Sequence, residues 1–115
     1  MSIQISTELL DGMVLALLSR EDYYGYALTQ RIQESITVSE STMYPVLRRL
    51  RKEDWLTTYD QPFQGRNRRY YKITAAGRER LAEILHEWGA YKDSLDKILL
   101  PPAHMQAKGE KGDDK

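Results

Sequence analysis

Cysteine is absent from the 115 residues. That excludes a disulfide scaffold, thiol catalysis and thiolate metal sites, and it fits a reducing compartment, so a cytoplasmic location is expected. Histidine is scarce, with only His86 and His104 in the chain. No Ser/His/Asp set, metal-ligand cluster or glycine-rich phosphate loop stands out, so no catalysis, metal or cofactor is expected. No apolar run approaches the roughly 18–20 residues needed to span a bilayer. The opening MSIQISTELL has no basic segment ahead of an apolar stretch, so no secretory signal is expected. A net charge is missing as well, since 17 Lys and Arg balance 17 Asp and Glu. Nucleic-acid binders usually carry a basic surplus, so the total alone speaks against that class. What is present is a hydrophobic fraction of 41%, enough for a core. The length suits one domain of about 100–150 residues with a short extension.

The zero sum hides a pattern. Residues 1–43 hold two basic and six acidic residues, residues 44–80 ten and four, and residues 81–115 five and seven. The balances are −4, +6 and −2, a basic middle between acidic flanks. A polyanion responds to the local field, because screening cuts interactions off within about 8–10 Å. A charge excess by itself is equally the mark of a solvated face, so the order of elements has to decide.

Leu9, Leu10, Met13, Val14, Leu17 and Leu18 recur at helical spacing and predict a first helix over 7–19. Ser6 or Thr7 caps it. A polar connection over 19–24 leads to a second helix, roughly 25–34, with Tyr26, Ala27, Ile32 and Ile36 apolar. Ser39 caps a third helix over about 40–53, with Met43, Val46, Leu47 and Leu50 inward. Pro45 lies too deep for its first turn, which predicts a bend or a helix that tightens only after it. WLTTYD (55–60) and RRYYKI (68–73) are rich in β-branched and aromatic types and predict a hairpin, with its tip between Gln61 and Asn67. Thr74 caps a last helix that runs to about Leu99, ahead of Pro101 and Pro102. Residues 101–115, polar and rich in Pro, Gly and Lys, predict a disordered tail.

Three short helices, a hairpin and a long helix make a mainly α chain with a small β-hairpin, the order of a winged helix-turn-helix. The expected division is a DNA-binding domain over 1–74, a dimerisation helix over 75–100 and the tail. In this arrangement the third helix enters a major groove and the hairpin, or wing, lies beside it. Ser39, Ser41 and Thr42 bring hydroxyls to the positive end of that helix, where they suit phosphate oxygens or base edges. Tyr44 either joins them or packs inward. Arg48, Arg49, Arg51 and Lys52 could neutralise phosphates, or stay solvated. Glu40 is either turned away or reads a cytosine amino group. Arg66, Arg68 and Arg69 fall within four positions at the hairpin tip, where a basic segment can reach a minor groove. Alternation puts Tyr71 and Ile73 toward the core, which makes Arg66 and Arg68 better contacts than Arg69.

Leu81, Ile84, Trp88, Tyr91, Leu95 and Ile98 follow heptad spacing along the last helix, and Leu85 widens the stripe. It extends for roughly 25 Å at 1.5 Å per residue. A small winged unit covers only its start and the first helix can supply part of the rest, so a second protomer is the preferred partner for the far end. All seven residues are expected at the dimer interface. Such a homodimer places two recognition helices about 34 Å apart on a palindrome. A facing pair of Trp88 rings either fills the seam or forms a slot for a flat aromatic molecule.

The stretches Tyr24-Gly25-Tyr26, Ser39–Leu50 (SESTMYPVLRRL) and Arg68–Gly77 (RRYYKITAAG) resemble the PadR family of bacterial transcriptional regulators in order and spacing. The resemblance covers about residues 7–99 and is carried by Thr42-Met43-Tyr44-Pro45, Leu47, Arg49-Leu50, Tyr70-Tyr71, Thr74 and Gly77 together. It implies a winged helix-turn-helix homodimer, usually a repressor, with a C-terminal dimerisation helix. The single last helix is similar to the compact branch of the family. Multidrug-sensing members of that branch stack flat aromatic compounds between paired tryptophans, and Trp88 stands at the similar place. Tyr-Pro is common in the family, so Pro45 is no departure. The competing reading is a winged-helix module that binds protein or RNA and no operator.

Overall fold

The computed structural model describes residues 4–102. Its elements are α1 (Thr7–Leu18), β1 (Tyr23–Tyr24), α2 (Gly25–Gln33), α3 (Glu40–Lys52), β2 (Leu56–Phe63), β3 (Arg66–Ile73) and α4 (Ala75–Leu99). This is a winged helix-turn-helix followed by a long helix. The expected disordered tail lies outside the described residues beyond Pro102. No described helix is long and apolar enough to cross a membrane.

Local signals set the helix boundaries. Ser6, in extended backbone, accepts the Leu9 N–H at 3.1 Å and starts α1. Ser39 accepts the Thr42 N–H at 3.2 Å and starts α3. The helix then runs through Pro45, so it does not wait until after the proline to form. At its end Asp54 takes a left-handed φ of 63°. The Trp55 N–H reaches the Leu50 carbonyl and the Asp54 N–H reaches that of Arg51, each at 3.0 Å. Those two bonds close the helix in the manner that usually employs glycine. Thr74 accepts the Gly77 N–H at 2.9 Å and donates to the Asp54 carbonyl at 2.6 Å, tying the start of α4 to the end of α3. Gly77 itself has no room for a side chain, since a Cβ would collide with the Trp55 carbonyl.

The sheet is antiparallel in the order β1-β3-β2. Its strands reach further than the sequence predicts. Pro62 and Asn67 pair within the ladder, and the tip shrinks to Gln64 and Gly65. Both carry positive φ, 52° and 80°, and such two-residue turns match the right-handed twist of the strands they join. Pro62 is tolerated because β2 is an edge strand. The segment before α2, expected to be a plain connection, contributes β1, with Tyr23 opposite Tyr71 and Tyr24 opposite Tyr70.

The chain divides into two compact units, one through Leu85 and one from His86. The first is centred on Val14, Leu15, Leu28, Met43, Leu47 and Leu50, each at most 1% exposed. It runs past the expected boundary at residue 74 because the first turns of α4 pack into it. Gly12 on α1 admits α4 so closely that a Cβ there would lie 2.8 Å from Ile84 Cγ2. Leu81 and Ile84 are therefore buried in this protomer's own core, at 9% and 3% exposure. This corrects the expectation that both line a seam between protomers.

One charged contact crosses the core. Asp11 on α1 is 2% exposed, and Arg49 of α3 donates to its two oxygens at 3.0 and 2.5 Å. Removing either partner should have unequal consequences. Arg49→Met strands a buried carboxylate and should cost about 3–5 kcal/mol of stability. Asp11→Asn leaves an arginine whose side chain is 40% exposed and can reach water, so it should cost clearly less. Urea denaturation of both variants checks the order, and equal losses would contradict it.

Candidate nucleic-acid interface

Burial of Met43, Val46, Leu47 and Leu50 fixes which way α3 faces. Ser41, Thr42, Tyr44, Arg48 and Lys52 are left on the open side, with Tyr44 50% exposed and so outside the core. At the helix start the Ser39 hydroxyl lies 2.9 Å from that of Ser41 and 3.0 Å from that of Thr42. This hydroxyl cluster sits at the positive end of the helix dipole. Further along, Arg48, Arg51 and Lys52 are exposed and form no ion pair with the described residues. Arg49 does not belong with them. It was expected to contact DNA, but its guanidinium is bound to Asp11, and that hydrogen bond raises its pKa further.

On the wing, Ile73 is buried and Tyr71 packs against the core, as alternation predicts. Burial pushes the Tyr71 phenol up from its ordinary pKa. Arg66 stands exposed beside the tip, while Arg69 faces Asp60 at 3.6 Å. That pair is exposed and worth little. Arg68 is half-buried, with its guanidinium carbon 4.0 Å from the Tyr24 ring centre and 3.4 Å from that of Phe63.

The outer face of the sheet continues as an aromatic row. Tyr59 stacks on Tyr70 with centroids 5.5 Å apart and planes 12° from parallel. Tyr70 meets Tyr24 at 5.9 Å, and Tyr24 meets Tyr26 at 6.5 Å. A cleft of about 540 Å³ opens at the wing end of this row, lined by Tyr24, Tyr26, Phe63, Gln64, Arg66, Asn67 and Arg68. Sequence periodicity singled out only the arginines. The rings meet them through β1, which is two residues long and too short to show an alternating pattern.

In the unit from His86, Trp88 is 38% exposed and its ring lies 6.5 Å from that of Tyr91. Leu95 and Ile98 are further exposed apolar side chains on its part of α4, and Leu85, the last residue of the first unit, is exposed as well.

The family model for transcriptional regulators described as PadR-like matches residues 14–83. Transcriptional regulator Rv3488 of Mycobacterium tuberculosis is 38% identical over 89 residues, covering 76% of this chain and 80% of that protein. The crystal structure of smu.1704 from Streptococcus mutans UA159 superposes with a TM-score of 0.80 at 39% identity, covering 86% of this chain and 93% of that one. The structure of Bacillus subtilis PadR in complex with operator DNA shares the fold, with a TM-score of 0.61 at 24% identity, covering 67% of this chain and 45% of that one.

One bond anchors the wing to the connection before β1 and has a spectroscopic signature. The Tyr59 hydroxyl donates to Asp22 Oδ2 at 2.6 Å, and this bond pushes the phenol up to about 12. Ionising Tyr59 destroys the bond. Its contribution is therefore full below pH 10, the ordinary tyrosine range, and lost as pH rises toward 12. Absorbance titration at 295 nm should lose one late-ionising tyrosine in Tyr59→Phe, while the raised Tyr71 phenol remains. An unchanged titration curve in that variant contradicts the assignment.

Proposed function

The chain belongs to the PadR-like family of transcriptional regulators, and from that premise we propose that it is a repressor binding a palindromic operator as a homodimer. We further propose that a flat aromatic ligand stacked between paired Trp88 rings releases it. The family is one of regulators rather than enzymes.

The observation that carries the DNA reading is where the unpaired cations lie. Arg31, Arg49, Arg69, Arg80 and Lys92 each have a carboxylate partner. Arg48, Arg51 and Lys52 on α3, and Arg66, Arg68 and Lys72 on the wing, have none among the described residues, and elsewhere only Arg20, Arg78 and Lys97 are in the same position. Six of these nine cations lie on the two elements that a winged helix-turn-helix turns toward DNA, where they suit backbone phosphates. Ser41, Thr42 and Tyr44 then supply polar contacts at the groove, and the Ser39 hydroxyl holds the cluster at the helix start.

The dimer reading rests on the exposed stripe of Leu85, Trp88, Tyr91, Leu95 and Ile98. An apolar row of this length is a common mark of a protein interface. A two-fold axis through it brings the two Trp88 rings together, and their flat faces suit a planar aromatic compound. The ligand then acts by favouring dimer geometries whose recognition helices no longer match the operator spacing.

Two experiments test this reading. Replacing Arg66 and Arg68 with Ala should weaken binding to a fragment of the gene's own promoter by about tenfold or more, while sedimentation still shows a dimer. Unchanged affinity in a gel shift removes the wing from the mechanism. A planar aromatic dye should quench tryptophan fluorescence in the parent protein and in Trp55→Phe, but not in Trp88→Ala. Equal quenching in both variants rejects the paired-ring slot.

A further inference from the structure

We propose that Tyr24 and Phe63 are positioning residues that hold Arg68 as a fixed cation. The cleft beside them is then a seat for one backbone phosphate of the operator. This rests on the DNA reading above and names how one wing cation meets its anion.

The argument starts from the sheet order. β3 is central: β2 runs beside Arg68, which pairs with Gln61, and on the other side β1 ends with Tyr24 opposite Tyr70, two residues along. Each flanking strand sends one ring to it, Tyr24 from β1 at 4.0 Å and Phe63 from β2 at 3.4 Å. Rings engage a guanidinium through its flat faces. The N–H donors lie in the guanidinium plane and are left free for an oxyanion. Most exposed arginines lose much rotamer freedom on binding, whereas this one is already ordered. Tyr24 is held in turn by its pairing with Tyr70 and by the contact between their rings at 5.9 Å. β1 therefore has a task beyond adding one more pair to the ladder.

The chemistry of the cleft selects the occupant. Arg66 and Arg68 both line it, and neither has a carboxylate partner among the described residues. Asn67 and Gln64 add neutral amide donors, and no acidic side chain lines the wall. Two cations, two amides and no anion suit a phosphodiester. The cleft also adjoins the wing tip, the part of the fold that lies beside DNA.

The test uses Phe63→Leu, Phe63→Tyr and Arg68→Ala in the full chain. Duplex affinity is read by fluorescence anisotropy across a salt series. The order of the Arg68 side chain is read by its Nε–H heteronuclear NOE without DNA. Phe63→Leu should weaken binding about five- to tenfold with an unchanged salt slope, because the charge stays while its position is lost. Phe63→Tyr should bind like the parent. Arg68→Ala should weaken binding and flatten the slope by about 0.9 per protomer. The Arg68 NOE should fall in Phe63→Leu and persist in Phe63→Tyr.

The outcomes separate the two readings. Loss in Arg68→Ala with parent-like affinity and NOE in Phe63→Leu overturns the clamp and leaves the DNA reading standing. A parent protein with no salt-dependent duplex binding overturns both. Inorganic phosphate supplies the remaining arm. If it shifts the Arg68 Nε–H signal at millimolar concentration, and duplex does not, the cleft is a free-anion site and the backbone seat is wrong.

Discussion

A carboxylate buried at Asp11 needs a partner, and Arg49 of α3 supplies both of its donors. With that contact made, α3 is docked on α1 through a charged fork as well as through Met43, Val46, Leu47 and Leu50. The side chains left outward are the hydroxyl cluster, Tyr44 and the cations Arg48, Arg51 and Lys52. The next residue of α1, Gly12, has no side chain and so lets Ile84 of α4 fill the space beside it. Two adjacent residues thus seat both the recognition helix and the start of the C-terminal helix. Glu8, near the start of α1, adds an ion pair to Arg80 at 3.4 Å.

The sorting of charge follows from this arrangement. The total is zero, yet the arginines of the basic middle do different jobs. Arg49 is neutralised internally, Arg69 faces Asp60 and Arg80 joins Glu8 and Glu83. Of the nine described cations left without a carboxylate partner, six lie on α3 and the wing. Such a surface draws a polyanion to one face while the acidic flanks limit attraction elsewhere. A count of residues cannot separate an arginine that closes the core from one that meets a ligand. Burial and pairing can.

Much of this was legible in the sequence. The helical spacing of apolar residues, Ser39 ahead of α3 and Thr74 ahead of α4 placed the elements in order, because those signals are local. What escaped depends on residues far apart in the chain. β1 exists only because β3 offers an edge to Tyr23 and Tyr24. Pro62 reads as a loop residue until it is known to lie on an edge strand. Arg49 sits in a run of similar arginines, and its partner lies 38 positions away. Leu81 and Ile84 carry the same heptad spacing as Trp88 and Tyr91, since periodicity marks an apolar stripe without saying which body covers it. The rings around Arg68 went unnoticed for the same reason as β1.

The central claim is that the unpaired cations of α3 and the wing meet phosphates. The most direct measurement is the equilibrium affinity for promoter duplex as a function of salt. With six such cations per protomer, the slope of log K against log salt should be steeper than about −5, at roughly −0.9 per phosphate neutralised. A slope near zero would contradict it, and would make those cations part of a solvated surface.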